Sequence, residues 1–202
     1  MKIIGLTGQS GAGKGTVSAI LARNGFLCID CDEVYHSLLI LPSECLNEIK
    51  NAFGDNIDII KSDGTLDRKK LGEAVFSDKK KLEKLNEITL PRVLDGCREI
   101  LRKKSGDGYR AAVLDAPTLY ESGFDRECDT VLAVTADERT RLMRIIARDK
   151  ISKESALARL RAQKSEDFYT SRADYIIRND GSEKDLENAT LKFIKKFGET
   201  EN

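Results

Sequence analysis

A glycine-rich segment near the N-terminus has the residue types and the spacing of a phosphate-binding loop. It runs from Gly8 to Thr16 as Gly-Gln-Ser-Gly-Ala-Gly-Lys-Gly-Thr, directly after the apolar run of residues 3–7. Glycines let the backbone curl so that successive N–H groups point inward, and the positive end of a following helix adds to that field. Lys14 lies where its ammonium group can reach the terminal phosphates of a nucleotide. The segment therefore predicts a bound nucleoside triphosphate, held by Gly11, Ala12, Gly13, Lys14, Gly15 and Thr16.

The residue after the lysine departs from the usual loop, in which a serine or threonine hydroxyl meets magnesium. Here Gly15 follows the lysine and Thr16 comes one position later. We expect Mg²⁺ to be held by Thr16 or through waters and phosphates, because this ion keeps several waters in its shell. Asp115, at the end of a predicted strand, is the second expected metal ligand, directly or through water. A cap or turn before Pro117 is the alternative role for Asp115.

Two carboxylates two residues apart follow the second apolar run, residues 26–29. Transfer of a phosphoryl group needs a partner for the proton of the acceptor hydroxyl. Asp32 is placed to orient that hydroxyl and take its proton, and Asp30 is the alternative or a support for the metal. Either carboxylate could instead cap the helix that follows.

A strongly basic stretch occupies residues 139–164, with nine lysines and arginines against Asp149 and Glu154. A solvated helical face is one explanation. Arginines also suit contacts with several phosphate oxygens at once, and on a mobile flap they could close over a triphosphate. Arg144 and Arg148 share one helix face because they are four residues apart. We therefore expect at least one of these arginines to take part in catalysis.

The elements that must position these groups alternate along the chain. The apolar runs predict five strands, with helices between them and a mainly helical segment over 33–105. Such an order predicts an α/β fold, in which a parallel sheet is covered by helices on both faces and binds its ligand at the carboxyl ends of the strands. Within the helical segment we expect helix starts at Pro42-Ser43 and Ser77-Asp78, and a kink or break at Pro91. The predicted strands lie at about 2–6, 26–30, 111–115, 130–134 and 175–178.

The composition narrows the functional classes. The chain has 202 residues with 40% hydrophobic and 34% charged residues, typical of a soluble globular protein. The net charge is zero and no apolar run approaches a membrane span, so we expect neither nucleic acid nor a membrane as a partner. Five cysteines at scattered spacings and no secretory signal favour free thiols in the cytoplasm.

Taken together, the residues resemble the dephospho-CoA kinase family over nearly the whole chain. A phosphate-binding loop alone is common to a large superfamily, whereas this ordered series of motifs is far more specific. The series comprises Leu6-Thr7-Gly8, Ile29-Asp30-Cys31-Asp32, Asp63-Gly64-Thr65-Leu66-Asp67-Arg68, Val75-Phe76, Leu85-Asn86-Glu87-Ile88 before Pro91, Asp115 to Glu121, Arg144 to Asp149, Ala162-Gln163, and Ala173 to Ile177 with Asn179-Asp180-Gly181.

The resemblance implies a single P-loop kinase domain that phosphorylates the ribose 3′-hydroxyl of dephospho-CoA with Mg²⁺-ATP, as a monomer or weak oligomer. It implies a core over about 1–32, 106–138 and 165–202, a helical acceptor-binding insertion over about 33–105, and a lid over about 139–164. Asp32 matches the base, and Lys14, Thr7 and Arg144 match residues tied to activity. The nucleotide contacts include Arg144, Arg148, Asn179 and Gly181, the latter two at the adenine, and the acceptor contacts are Asp32, Arg68, Leu90, Pro117 and Leu119.

Two positions depart from the family pattern. Leu90 stands where the family usually has histidine before proline, and Gly15 stands where it commonly has serine. The form Lys14-Gly15-Thr16 is shared with adenylate-kinase-like enzymes, so another small-molecule or nucleoside monophosphate kinase is the alternative. A nucleotide-binding switch without transfer is a second alternative, although no Asn-Lys-x-Asp guanine-reading motif is present.

Overall fold

The computed structural model describes residues 1–40, 43–54, 59–76 and 78–199. Two compact units divide the chain: Met1–Ile29 with Ser105–Asn202, and Asp30–Lys104. In chain order the elements are β1 (Ile3–Gly8), α1 (Lys14–Arg23), β2 (Leu27–Asp30), α2 (Cys31–Ser37), α3 (Glu44–Phe53), α4 (Arg68–Phe76), α5 (Lys79–Lys104), β3 (Ala112–Asp115), α6 (Leu119–Ser122), a 3₁₀ turn (Phe124–Glu127), β4 (Thr130–Thr135), α7 (Glu138–Asp149), α8 (Lys153–Arg161), α9 (Glu166–Thr170), β5 (Tyr175–Arg178) and α10 (Glu183–Glu199).

The five predicted strands form one parallel sheet in the order β2-β3-β1-β4-β5. The central strand β1 pairs with β3 from Ile3 opposite Ala112, and with β4 from Ile4 opposite Thr130. Its residues Ile4 and Leu6 are completely buried, as expected of a strand covered on both faces. The predicted α/β fold with a five-stranded parallel sheet is confirmed. This order places the loop after β1 between the ends of β3 and β4.

Helices cover both faces of the sheet. Successive β1 side chains point to opposite faces, so neighbouring residues of β1 contact different helices. On one face, Ile4 and Leu6 belong to the apolar core that α1 and α10 complete. On the other face, a Cβ at Gly5 would lie 2.6 Å from Leu119 Cδ2 of α6. A glycine is therefore needed for the close approach of α6 to β1. The helix α1 ends at Arg23 with Asn24 as its C-cap, and Gly25 follows with a positive φ.

The second unit, α2 to α5, has an apolar core of its own that includes Leu46, Ile49 and Leu71. Side-chain caps set where its helices begin. The Ser43 hydroxyl accepts from Leu46 N at 3.0 Å before α3, and Asp78 Oδ1 accepts from Lys80 N at 2.9 Å before α5. The predicted helix starts at Ser43 and Asp78 are thus confirmed. Their predicted partners, Pro42 and Ser77, lie outside the described residues.

The longest helix, α5, continues through Pro91. The predicted break is wrong, because the helix is continuous on both sides of the proline, while the alternative kink stays a prediction. Thr89 Oγ1 donates to Leu85 O at 2.9 Å, and Arg92 Nη1 donates to Ile88 O at 2.7 Å. Neither bond reaches the carbonyl four residues before Pro91, which loses its N–H donor, so the buried apolar face of α5 is the reason for its continuity. Despite its length, α5 is too polar to cross a bilayer, and the other helices of the described part of the chain likewise lack the length and apolarity for it.

Candidate active site

The loop after β1 adopts a conformation that only glycines tolerate at three of its positions. Gly8, Gly11 and Gly13 have φ angles of 137°, 80° and 105°. A Cβ at Gly8 would lie 2.0 Å from Val134 O, and one at Gly13 would lie 2.3 Å from Asn179 Nδ2. The glycines therefore serve both the backbone turn and its close packing against β4 and the segment after β5.

The start of α1 is open to an anion. Its N-cap is Gly13, in the left-handed region, which offers no side-chain acceptor to the amide groups of the first turn. The first turn contains no acidic residue and begins with Lys14. Uncapped amides, the positive end of the helix and an ammonium group together fit a phosphate group.

Two of the predicted site residues offer oxygen ligands near this loop. Asp115 is the last residue of β3, in register with Leu6, and Ala116 N donates to Leu6 O at 3.0 Å. Thr16 is exposed in the first turn of α1. A carboxylate and a hydroxyl are hard oxygen donors, so this pair fits a magnesium ion.

Arg144 of α7 is bonded to both the loop and the segment after β5. Its Nη1 donates to Asn179 O at 3.0 Å and lies 3.5 Å from Gly11 O, and its Nη2 donates to Asn179 Oδ1 at 3.3 Å. Asn179 is only 5% exposed, and its Nδ2 donates to Ala12 O at 2.7 Å. Asn179 therefore holds the loop and Arg144 together, a role that its predicted place at the adenine did not include.

Arg148, one turn further along α7, also contacts the loop. Its Nη2 donates to Ser10 Oγ at 3.4 Å, while its Nε donates to Asp149 Oδ1 at 2.7 Å. The bond to Asp149 raises the pKa of Arg148, and the same bond lowers the pKa of Asp149. Arg159 of α8 pairs with the same carboxylate. Asp149 thus fixes a basic pair next to the loop.

Arg141 and Gln163, which had no individual role in the sequence-based prediction, lie against the loop. Arg141 is 6% exposed, so the solvated-face explanation fails at this residue, and burial lowers its pKa. Its Nη1 donates to Gln163 Oε1 at 3.3 Å, and the same oxygen accepts from Ser10 N at 3.0 Å. Arg141 lies three residues before Arg144, so helical spacing was a signal that it shares that face.

Thr7 and the segment after β3 tie the carboxyl ends of two strands together. The Thr7 side chain is fully buried, and its hydroxyl donates to Pro117 O at 3.4 Å. The Leu119 side chain is fully buried against Gly5. A contact between Leu119 and a substrate would thus have to come from its main chain.

Next to this segment, Tyr120 and Cys128 are polar groups in an apolar environment. Burial, with a smaller contribution from Asp125, raises the pKa of each side chain to about 12. The Tyr120 hydroxyl is buried and, among the described residues, has no hydrogen-bond partner. Both groups therefore stay protonated at neutral pH, so neither serves as a base there.

Comparison with known proteins decides the family. The family model for dephospho-CoA kinase matches residues 2–185. A dephospho-CoA kinase from Fusobacterium nucleatum is 40% identical over 198 residues, which cover 98% of this chain and 97% of the relative. The chain belongs to the dephospho-CoA kinase family. Among solved structures, TT1252 from Thermus thermophilus superposes with a TM-score of 0.80 at 32% identity, covering 96% of this chain and 97% of that one. The dephospho-CoA kinase from Campylobacter jejuni superposes with a TM-score of 0.72 at 28% identity over the full length of both chains.

Gly15 stands where dephospho-CoA kinases commonly have serine, and the space around it shows what this difference changes. A Cβ at Gly15 would meet no atom within 4 Å, and its φ is not in the positive range. The serine common in the family would therefore fit at this position without strain. The loop loses a hydroxyl here but keeps its shape.

In the second unit, Asp30 and Asp32 take different roles. Asp30 is the N-cap of α2, and its Oδ1 accepts from Asp32 N at 2.8 Å and from Glu33 N at 3.2 Å. The capping alternative is thus correct for Asp30. Asp32 is the second residue of α2 and is exposed, as Asp30 is, and its contact with the acceptor stays a prediction.

Within the second unit, the other predicted acceptor residues lie on α4 and α5. Arg68 is exposed at the first position of α4, where Asp67 Oδ1 accepts from Lys70 N at 3.1 Å and caps the helix. Leu90 is half-buried in α5, one residue before Pro91. Their contact with the acceptor stays a prediction.

Proposed function

We propose that the protein transfers the γ-phosphoryl group of ATP to the ribose 3′-hydroxyl of dephospho-CoA, giving CoA and ADP. Membership of the dephospho-CoA kinase family supports the activity. In the structure itself, the observation that supports the proposal is the glycine-rich loop, which ends in an uncapped helix N-terminus beginning with Lys14. That arrangement is a site for the phosphates of a nucleotide.

The donor side acts through charge and position. The amides of the loop and of the first turn of α1 bind phosphate oxygens, and Lys14 reaches the terminal phosphates. Arg144 has five N–H donors, of which Asn179 engages only some, so the guanidinium can also contact the transferred group. Thr16 and Asp115 would hold the magnesium ion, whose charge neutralises that of the phosphates.

On the acceptor side, Asp32 accepts the proton of the attacking hydroxyl, and Arg68, Leu90, Pro117 and Leu119 bind the rest of dephospho-CoA. Asn179 and Gly181 lie at the adenine of ATP. Residues 139–164 act as a lid, and residues 33–105 form the acceptor-binding insertion of a single kinase domain. The contacts of Arg144, Arg148 and Gln163 with the loop support a link between the lid and the phosphates.

The protein works on small molecules in the cytoplasm, as a monomer or weak oligomer, with neither nucleic acid nor a membrane as partner. The zero net charge gives no general attraction to a polyanion. The five cysteines all lie in the described residues and form no disulfide, which fits a reducing compartment.

The test is a coupled ATP-consumption assay with Mg²⁺ and dephospho-CoA, in which CoA is confirmed by mass. Asp32→Asn should reduce turnover about 10²-fold or more, because the hydroxyl loses its proton acceptor. Asp30→Asn is the matched control, since asparagine caps a helix as well as aspartate does. It should stay within threefold of the wild type.

The outcomes separate the assignments. Loss of turnover in Asp30→Asn but not in Asp32→Asn would transfer the role of base to Asp30. If the folded wild-type protein binds ATP but forms no CoA, the assignment of dephospho-CoA as the acceptor is refuted. A panel of AMP, CMP and shikimate would then identify another kinase activity, and binding without any transfer would indicate a switch.

A further inference from the structure

The phosphate-binding loop makes a set of contacts with α7 and with the turn after α8. Ser10 N donates to Gln163 Oε1 at 3.0 Å, and Gln9 Nε2 donates to Lys164 O at 3.1 Å. Gly11 packs so closely on Arg141 that a Cβ there would lie 2.8 Å from Arg141 O. Three consecutive loop residues are thus held by α7 and by the turn after α8.

Gln163 is the residue at which these contacts meet. Its Oε1 accepts from Ser10 N and also from Arg141 Nη1 at 3.3 Å. A side-chain amide oxygen has two lone pairs, so it can accept both bonds at once. The Arg141 side chain is buried, and its Nε is committed to Ala136 O at 3.1 Å. A buried guanidinium needs such acceptors, so the Arg141–Gln163 contact is strongly favoured.

We propose that Gln163 is a positioning residue for phosphoryl transfer. Through one oxygen it fixes the Gln9–Ser10 peptide of the loop relative to α7, the helix that carries Arg144. It touches neither phosphate nor acceptor. Its effect is to keep the loop amides and the Arg144 guanidinium in one geometry relative to each other, so that these particular groups need no rearrangement when ATP binds. The inference rests on the proposed function only in taking ATP as the nucleotide.

The deciding variants change the oxygen and little else. Gln163→Met keeps an unbranched side chain of similar length but removes the acceptor, leaving Ser10 N–H and a buried arginine N–H without a partner. Gln163→Glu keeps an oxygen in place and should therefore retain the affinity for ATP. We expect the dissociation constant for a fluorescent ATP analogue to rise about tenfold in Gln163→Met and to stay within threefold of the wild type in Gln163→Glu.

The kinetic readout separates positioning from stability. KM for ATP should rise about tenfold in Gln163→Met, with KM for dephospho-CoA within threefold of the wild type. If Gln163→Met does not fold, Gln163→Asn, whose oxygen is drawn back by one methylene, has the same expected result. Unchanged ATP affinity in either folded variant, or an equal loss in Gln163→Glu, would overturn the proposal. The analogue titration needs no acceptor, so failure of the dephospho-CoA assignment would appear separately, as absent turnover in the wild type.

Discussion

Two glycines of the phosphate-binding loop, Gly13 and Gly15, should respond in opposite ways to the same substitution. Gly13 has φ 105°, and an added Cβ would lie 2.3 Å from Asn179 Nδ2. Gly15 lies inside α1 with open space around its Cβ position. Alanine at these two positions therefore compares a constrained glycine with an unconstrained one within a single turn of chain.

The magnitudes follow from the local structure. In Gly13→Ala the positive φ costs about 1–2 kcal/mol. Asn179 must also move, which weakens its hydrogen bonds to Ala12 O and Arg144 and costs about 1 kcal/mol of stability for each bond. The free energy of unfolding should fall by roughly 3 kcal/mol or more. In Gly15→Ala it should rise by about 0.5–1 kcal/mol, because alanine loses less backbone entropy in a helix.

Urea unfolding of the wild type and both variants measures these differences, and titration with ATP measures the site. Gly13→Ala should also bind ATP more weakly, since Asn179 positions both the loop and Arg144. Gly15→Ala should bind it with an affinity close to that of the wild type. If Gly13→Ala is as stable as Gly15→Ala and binds ATP equally well, the reasoning from φ and close contact is refuted.

Three further results are expected. Lys14→Ala and Arg144→Ala should each lower kcat/KM about 10²-fold or more in the coupled assay, because each removes a charge that stabilises the phosphoryl group during transfer. A variant whose rate stays within threefold of the wild type would exclude that residue from the mechanism. Tyr120→Phe should raise the free energy of unfolding by about 1 kcal/mol in urea, because it removes a buried hydroxyl that lacks a partner, and a loss of that size would contradict the assignment. ATP should protect residues 139–164 from limited proteolysis, and unchanged cleavage there would count against a lid.

The fold was predictable because its signals are local. A buried parallel strand needs only a short apolar run, and each of the five runs became a strand of the sheet. Caps were visible as single residues before an apolar pattern, as at Asp67 and Asp78. Pro91 shows the limit of this reasoning. The proline weakens the helix locally, but the buried apolar face of α5 keeps it continuous.

The site was predictable in its residue types and less so in its connections. The loop and Lys14 follow from spacing, as does the uncapped start of α1. The burial of Arg141 depends on Gln163, 22 residues further along, and the bond from Asn179 to Ala12 spans 167 residues. A single sequence holds no periodic signal for pairs so far apart. For Asp30, two local roles were equally compatible with the sequence, and only the hydrogen bonds to Asp32 N and Glu33 N decide for the cap.

The long reach of these bonds has a consequence for how the protein is made. The loop is synthesised within the first 16 residues, yet both neighbours of β1 come more than a hundred residues later, and its fixing partners lie at residues 141–179. A nascent chain on the ribosome thus carries the complete nucleotide motif long before it can hold that motif in shape. Fragments that end before β5 lack Asn179 and its bond to the loop, so they should have little affinity for ATP, and ATP should not protect them from proteolysis.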